Sequence, residues 1–205
     1  MSDGARTTPA TSRSWFSCAA SAAAALALLS GCDPTTTPKA VAATEAVVVD
    51  ATTGLQWLRC AVGQTWQDGR CIGEAQAFTL MQAQARVEAL NAERREGITQ
   101  WRLPTITELA ALRKCDQGFV EDTFSLDMGP EQQPVVLKRW CAGASTIPTI
   151  DATRFPGTPP VKFWSGSGSE THQHFYAVDF GTAWIGINEA AEATHSVRPV
   201  ADRAR

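Results

Sequence analysis

The sequence predicts an α+β fold: an antiparallel sheet with two helices and long, disulfide-stapled loops. Three observations carry this. Runs rich in Val, Ile, Phe and Trp, bounded by Gly and Pro, fall at both ends of residues 46–200. Two stretches between them carry helical signals, at 74–92 and 105–112. Four cysteines, Cys60, Cys71, Cys115 and Cys141, lie in the turn-rich parts.

The chain opens on a targeting pattern. Arg6 and Arg13 supply positive charge, and residues 15–29 form an Ala/Leu-rich segment of the length of a secretory signal core. That is too short for the roughly 20 apolar residues of a membrane helix. Leu29-Ser30-Gly31-Cys32 closes it and resembles a bacterial lipobox, which implies cleavage before Cys32 and lipid on its thiol and new amino group. The expected organisation is a signal at 1–31, a tether at 32–45, one domain at 46–200 and a tail at 201–205. The tether, DPTTTPKAVAA from Asp33 to Ala43, is Thr/Pro/Ala-rich and without periodicity. Asp33 after the lipidated Cys resembles an inner-membrane retention signal, so the expected location is the cell envelope, facing periplasm or surface, with the inner membrane favoured.

Losing residues 1–31 removes Asp3, Arg6 and Arg13 from 18 basic and 21 acidic side chains, leaving 16 and 20. So mild an acidity gives no electrostatic support for nucleic-acid binding, which wants a clustered basic face. Cys18 goes with the signal and Cys32 is taken by lipid. The four remaining thiols allow three pairings, and Cys60–Cys71 with Cys115–Cys141 is favoured because both close short loops. The competing reading is a four-thiolate zinc site. Such sites normally show cysteines two to four residues apart, a spacing absent here.

The domain begins with two β-rich runs, 46–50 and 55–60, around a turn closed by Gly54 with Asp50 as its Asx residue. Alternation places Leu55, Trp57 and Arg59 on one face. Residues 63–69 are a second turn. From 74 to 92 the pattern is helical, with Phe78, Met81, Ala85 and Ala89 as the inward stripe. Pro104 keeps Leu103 extended, and Thr105 with Glu108 is a capping box for a helix that buries Leu109 and Leu112. Residues 116–160 read as long loops with short strands. The end returns to β character at 162–165, 175–180, 183–187 and 195–200, with a Gly/Ser turn after Ser165. These are expected in one antiparallel sheet, the first hairpin pairing near the last strand.

The order of landmarks resembles a known family. Asp50-x-x-Thr53-Gly54-Leu55-x-Trp57, Trp101-Arg102-Leu103-Pro104-Thr105 with Glu108 and Leu109, Phe155-Pro156, Phe163-Trp164-Ser165, Tyr176 to Asp179-Phe180 and Val197-Arg198 look like the Lcl C-terminal-domain family over about residues 46–200. These are extracytoplasmic bacterial domains found in lipoproteins and at the ends of collagen-like adhesins. The resemblance implies a C-type-lectin-like fold, akin to formylglycine-generating-type domains, and binding of extracellular glycans or surface partners. This chain lacks collagen-like repeats.

The chemistry is sparse. The lectin triplets that would place calcium are missing, and Gln133-Pro134-Val135 and Ile187-Asn188-Glu189 are only fragments. His172 and His174 would share a face of an extended segment, which makes them candidate ligand contacts, but no carboxylate or thiol companion marks a metal site. Gly166-Ser167-Gly168 lacks the spacing of a nucleophile elbow. No catalytic residue, metal or cofactor is therefore assigned, and an enzyme is not expected. Arg102 is read as tying the helix start to a carboxylate such as Asp179 or Asp50. Trp57, Trp101 and Trp164 are read as core, whereas Trp184, at a hairpin tip after Phe180-Gly181-Thr182, is the candidate for stacking on a sugar ring. The expected function is a membrane-anchored lipoprotein whose domain binds a glycan or envelope partner. The alternatives are an accessory envelope protein without a glycan site and a formylglycine-generating-type enzyme.

Overall fold

Residues 45–126, 135–169 and 174–203 are described by the computed structural model. Cys32, the tether and His172 lie outside them. In chain order come β1 (Val47–Val49), β2 (Gln56–Leu58), β3 (Thr65–Gln67), β4 (Arg70–Ile72), β5 (Ala77–Phe78), α1 (Leu80–Ala92) and α2 (Ile106–Ala111). Then follow β6 (Thr123–Leu126), β7 (Val135–Lys138), β8 (Lys162–Ser169), β9 (His174–Asp179), β10 (Ile185–Glu189), β11 (His195–Ser196) and β12 (Val200–Ala201).

The predicted fold class needs correction. Among the described residues strands dominate, and helix is confined to α1 with 13 residues, α2 with 6 and one short 3-10 turn at Arg95–Gly97. The described strands form not one antiparallel sheet but four: β1-β2-β12, β10-β9-β8-β11-β5, and the ribbons β3-β4 and β6-β7. One pairing, β11 with β8, is parallel. The two-helix C-type-lectin-like description therefore does not hold for this chain. Pro199 is one physical cause. It has no N–H to continue a ladder, so the closing segment leaves the five-stranded sheet after Ser196. It then joins the three-stranded one at Val200, opposite Trp57.

The first hairpin forms as its sequence dictates. Asp50 Oδ1 accepts the N–H groups of Thr52 and Thr53 at 3.0 and 2.9 Å, and Gly54 takes a φ of 76° that closes the turn. Trp57 and the adjacent Leu58 are both buried, because this sheet is covered on both faces. Val48, Trp57 and Val200 join one hydrophobic cluster with Ile106 and Leu109 of α2. Val47, Leu58 and Ala201 join a second with Leu80, Val87 and Leu90 of α1. The five-stranded sheet divides its side chains likewise, Phe163 and Val178 to the first cluster and Trp164 and Ala177 to the second.

α1 corrects the expected stripe. Its N-cap is Thr79, which forms a capping box with Gln82 and sets the helical phase from Leu80. Leu80, Ala83, Val87 and Leu90 are buried, while Met81 is 75% exposed and Phe78 belongs to β5. Alanines on every side of this helix hid the true face. The Gly/Ser turn expected after Ser165 is instead strand: β8 runs through to Ser169 with Ser165, Ser167 and Ser169 buried. Ser165 Oγ donates to Tyr176 O at 2.7 Å, and Ser167 Oγ accepts the Ile106 N–H at 3.0 Å. These bonds satisfy the hydroxyls and lock β8 to the start of α2.

Candidate functional site

The β9–β10 hairpin turns on Asp179, whose Oδ1 accepts the Gly181 N–H at 2.7 Å. Ala183 follows with a φ of 60° and a fully buried methyl, so the next side chain, Trp184, points outward. Its ring lies 5.4 Å from that of Trp140, centroid to centroid, at an interplanar angle of 13°. Both indoles remain open to solvent, 42% exposed for Trp184 and 37% for Trp140. Exposed Ile187 extends the apolar surface along β10. Arg139 borders it, its guanidinium 5.1 Å from the Phe124 ring and its Nε 2.6 Å from Asp122 Oδ2. The hollow among Phe124, Arg139, Trp184, Ile185 and Ile187 is only about 10 Å³. The indoles cover each other's facing sides, so the site is a shallow aromatic surface whose solvent-exposed parts are open to a ring.

Two remote segments meet here, and Arg113 holds them together. From the turn after α2, its Nη1 donates to Ala183 O at 2.7 Å and Arg139 O at 3.3 Å, and its Nη2 to Lys138 O at 3.0 Å. Ala183 and Arg139 are the residues immediately before the two tryptophans. Burial pulls the Arg113 pKa down to about 10, so the group keeps its charge at neutral pH. The Cys115–Cys141 disulfide fastens the residue after Trp140 to the segment after Arg113. Arg113→Met is accordingly expected to abolish the exciton couplet of the stacked indoles in circular dichroism. A couplet of full amplitude would contradict this positioning role.

The other predicted residues are placed as follows. Both local disulfides, Cys60–Cys71 and Cys115–Cys141, are present. Trp101 is core, 3% exposed, with its Nε1 donating to Arg95 O at 3.0 Å. Leu103 packs against the second hydrophobic cluster, and Pro104 O accepts the Gly166 N–H at 2.7 Å. Thr105 and Glu108 form the predicted capping box. Arg102 does anchor this helix start, but its partners are Glu108, with two bonds of 2.8 Å, and Asp202 at 2.8 Å. Asp50 pairs instead with Arg154, and Asp179 serves its own turn. Glu108 lies only six positions from Arg102, whereas Asp202 lies a hundred away and is brought close by the pairing of β12 with β2. Burial raises the Glu108 carboxyl, yet Arg102 and the Thr105 N–H outweigh it and hold its pKa below the usual range. The pair therefore stabilises the fold above the unfolded carboxylate's pKa and loses that contribution as pH falls. His174 opens β9 as an exposed residue, away from any cluster of metal-ligating groups among the described residues.

Trp140, Phe124 and Arg113 were missed in the sequence. Trp140 adjoining Cys141 was the available signal, since a disulfide fixes its neighbour.

A mostly β, disulfide-stapled domain that presents a rigid aromatic surface is the class that fold and site define. The chain belongs to the Lcl C-terminal domain family, whose model matches residues 46–201, and it is an extracytoplasmic domain. No curated protein and no solved structure matches it. No described helix is long and apolar enough to cross a membrane.

Proposed function

We propose that this protein is a lipid-anchored envelope protein that recognises a glycan or surface partner on the Trp140–Trp184 face. The observation that carries the reading is the exposed, near-parallel indole pair, held in place by Arg113 and a disulfide rather than packed into the core. Burying such a surface against a sugar ring removes apolar area from water without ordering anything further. An enzyme of the formylglycine-generating type would use free cysteines. Here Cys60, Cys71, Cys115 and Cys141 are all in disulfides.

The test is a glycan and glycosaminoglycan array probed with the chain. Saturable binding to a defined class supports recognition, and no binding above background favours the accessory-protein reading. Anchoring is tested separately. Metabolic labelling with a fatty-acid probe should mark the wild-type chain and not Cys32→Ala, whereas equal labelling of both would overturn lipidation at Cys32.

A further inference from the structure

The five-stranded sheet carries a second, charged cluster. Its register aligns Lys162 with Asp179, Trp164 with Ala177 and Gly186 with Ala177, so these residues share one face. Ser196 pairs with Phe163, which places neighbouring His195 on the same face as Trp164. The His195 ring lies 4.3 Å from that of Trp164, whose Nε1 donates to Phe78 O at 2.7 Å. Ladder register breaks between Gly186 and Glu189, and the Glu189 carboxylate folds back over Gly186. A Cβ there would collide with that carboxylate, so glycine makes its position possible. One Glu189 oxygen meets Lys162 Nζ at 2.6 Å and the other meets His195 Nε2 at 2.9 Å.

Two of the trio, Lys162 and His195, border a cleft of about 470 Å³, in the size range of small-molecule sites. Lys162 and His195 stand on one wall, Val161 and Ala75 add apolar surface, and the segment carrying exposed Glu74 forms another wall. The His195 and Glu189 side chains are only 10% and 12% exposed, so their charges are poorly screened. Glu189 brings its carboxylate to both Lys162 and His195. Lys162, 37% exposed, keeps N–H donors free to turn toward the cleft. Glu74 faces the same space with the opposite sign. Asp179, on the sheet face, is engaged by its turn.

We propose that this cleft binds a small zwitterion of the amino-acid or short-peptide class. Its carboxylate lies against Lys162 and His195 and its ammonium toward Glu74. The Lys162 ammonium, with donors open to the cleft, attracts the carboxylate, and Glu74 disfavours a second negative group while attracting an amine. The site is separate from the indole surface and does not depend on it.

The chain contains three histidines, so the imidazole proton resonances of the full chain resolve His195 once His195→Gln has assigned it. Titration with L-alanine and with L-alanyl-L-alanine should shift that resonance saturably. The probe that binds tighter tells a free amino acid from a peptide. Glu74→Gln, at an exposed position, and the N-acetylated dipeptide should each weaken binding about five-fold through loss of the ammonium–carboxylate attraction. No saturable shift with either probe would overturn the proposal. So would binding indifferent to Glu74→Gln.

Discussion

Arg198→Leu is expected to lower the stability of the domain by about 4 kcal/mol, a large share of the 5–15 kcal/mol typical of a folded protein. Arg198 is fully buried, and among the described residues no carboxylate pairs with it. Its charge is held by acceptors and ring faces alone. Nη1 donates to Leu58 O at 3.0 Å and to Arg59 O, and Nη2 donates to Thr158 Oγ1 at 2.6 Å. The guanidinium lies 4.8 Å from the Phe155 ring and 5.6 Å from that of Phe163. Burial brings its pKa down to about 9, still above neutral pH. Leucine would keep some packing but strip donors from three acceptors in the interior, each loss costing about 1–3 kcal/mol. Lysine should not rescue, since a point charge cannot span acceptors that a planar fork reaches together. Urea unfolding midpoints measure this. A leucine variant as stable as wild type would mean that the desolvation of the charge cancels all its bonds.

The second large effect is loss of the Cys115–Cys141 staple. It closes a separation of 26 residues, against 11 for Cys60–Cys71. In the chain-entropy model that is worth about 3.5 kcal/mol against about 3 kcal/mol. The two should differ more in consequence than in size. Cys115→Ser/Cys141→Ser frees the neighbour of Trp140, so the indole couplet should disappear together with the stability. The Cys60–Cys71 bond tethers the segment after β2 to the β3–β4 ribbon and touches neither tryptophan of the pair, so Cys60→Ser/Cys71→Ser releases only that ribbon. It should lower the unfolding midpoint with the couplet intact below the transition. Equal loss of the couplet in both double variants would contradict the assigned roles.

What was legible in the sequence was mainly local. The Asp50–Gly54 turn, the Thr105–Glu108 capping box and the two disulfides depend on residues close together in the chain, and each appears where its pattern indicates. The outward Trp184 was readable from its turn. Errors arose where partners are remote. The face of α1 was misassigned because alanine surrounds it, and the polar Ser/Gly run of β8 concealed a buried strand whose hydroxyls bond to distant backbone. The division into separate sheets depends on Pro199 diverting two terminal residues to β2. Trp140 is held against Trp184 by the Cys115–Cys141 bond and by Arg113, which reaches acceptors 25, 26 and 70 positions away. No periodicity reports such a junction.

The central claim is that the paired indoles are the recognition surface. Its most direct test is the same glycan array probed side by side with wild type and Trp184→Ala, with thermal unfolding of both. Because Trp184 is largely outside the core, the account predicts binding about five- to 150-fold weaker, as loss of a stacking contact of 1–3 kcal/mol implies, with little change in melting temperature. Undiminished binding by Trp184→Ala at equal stability would contradict it.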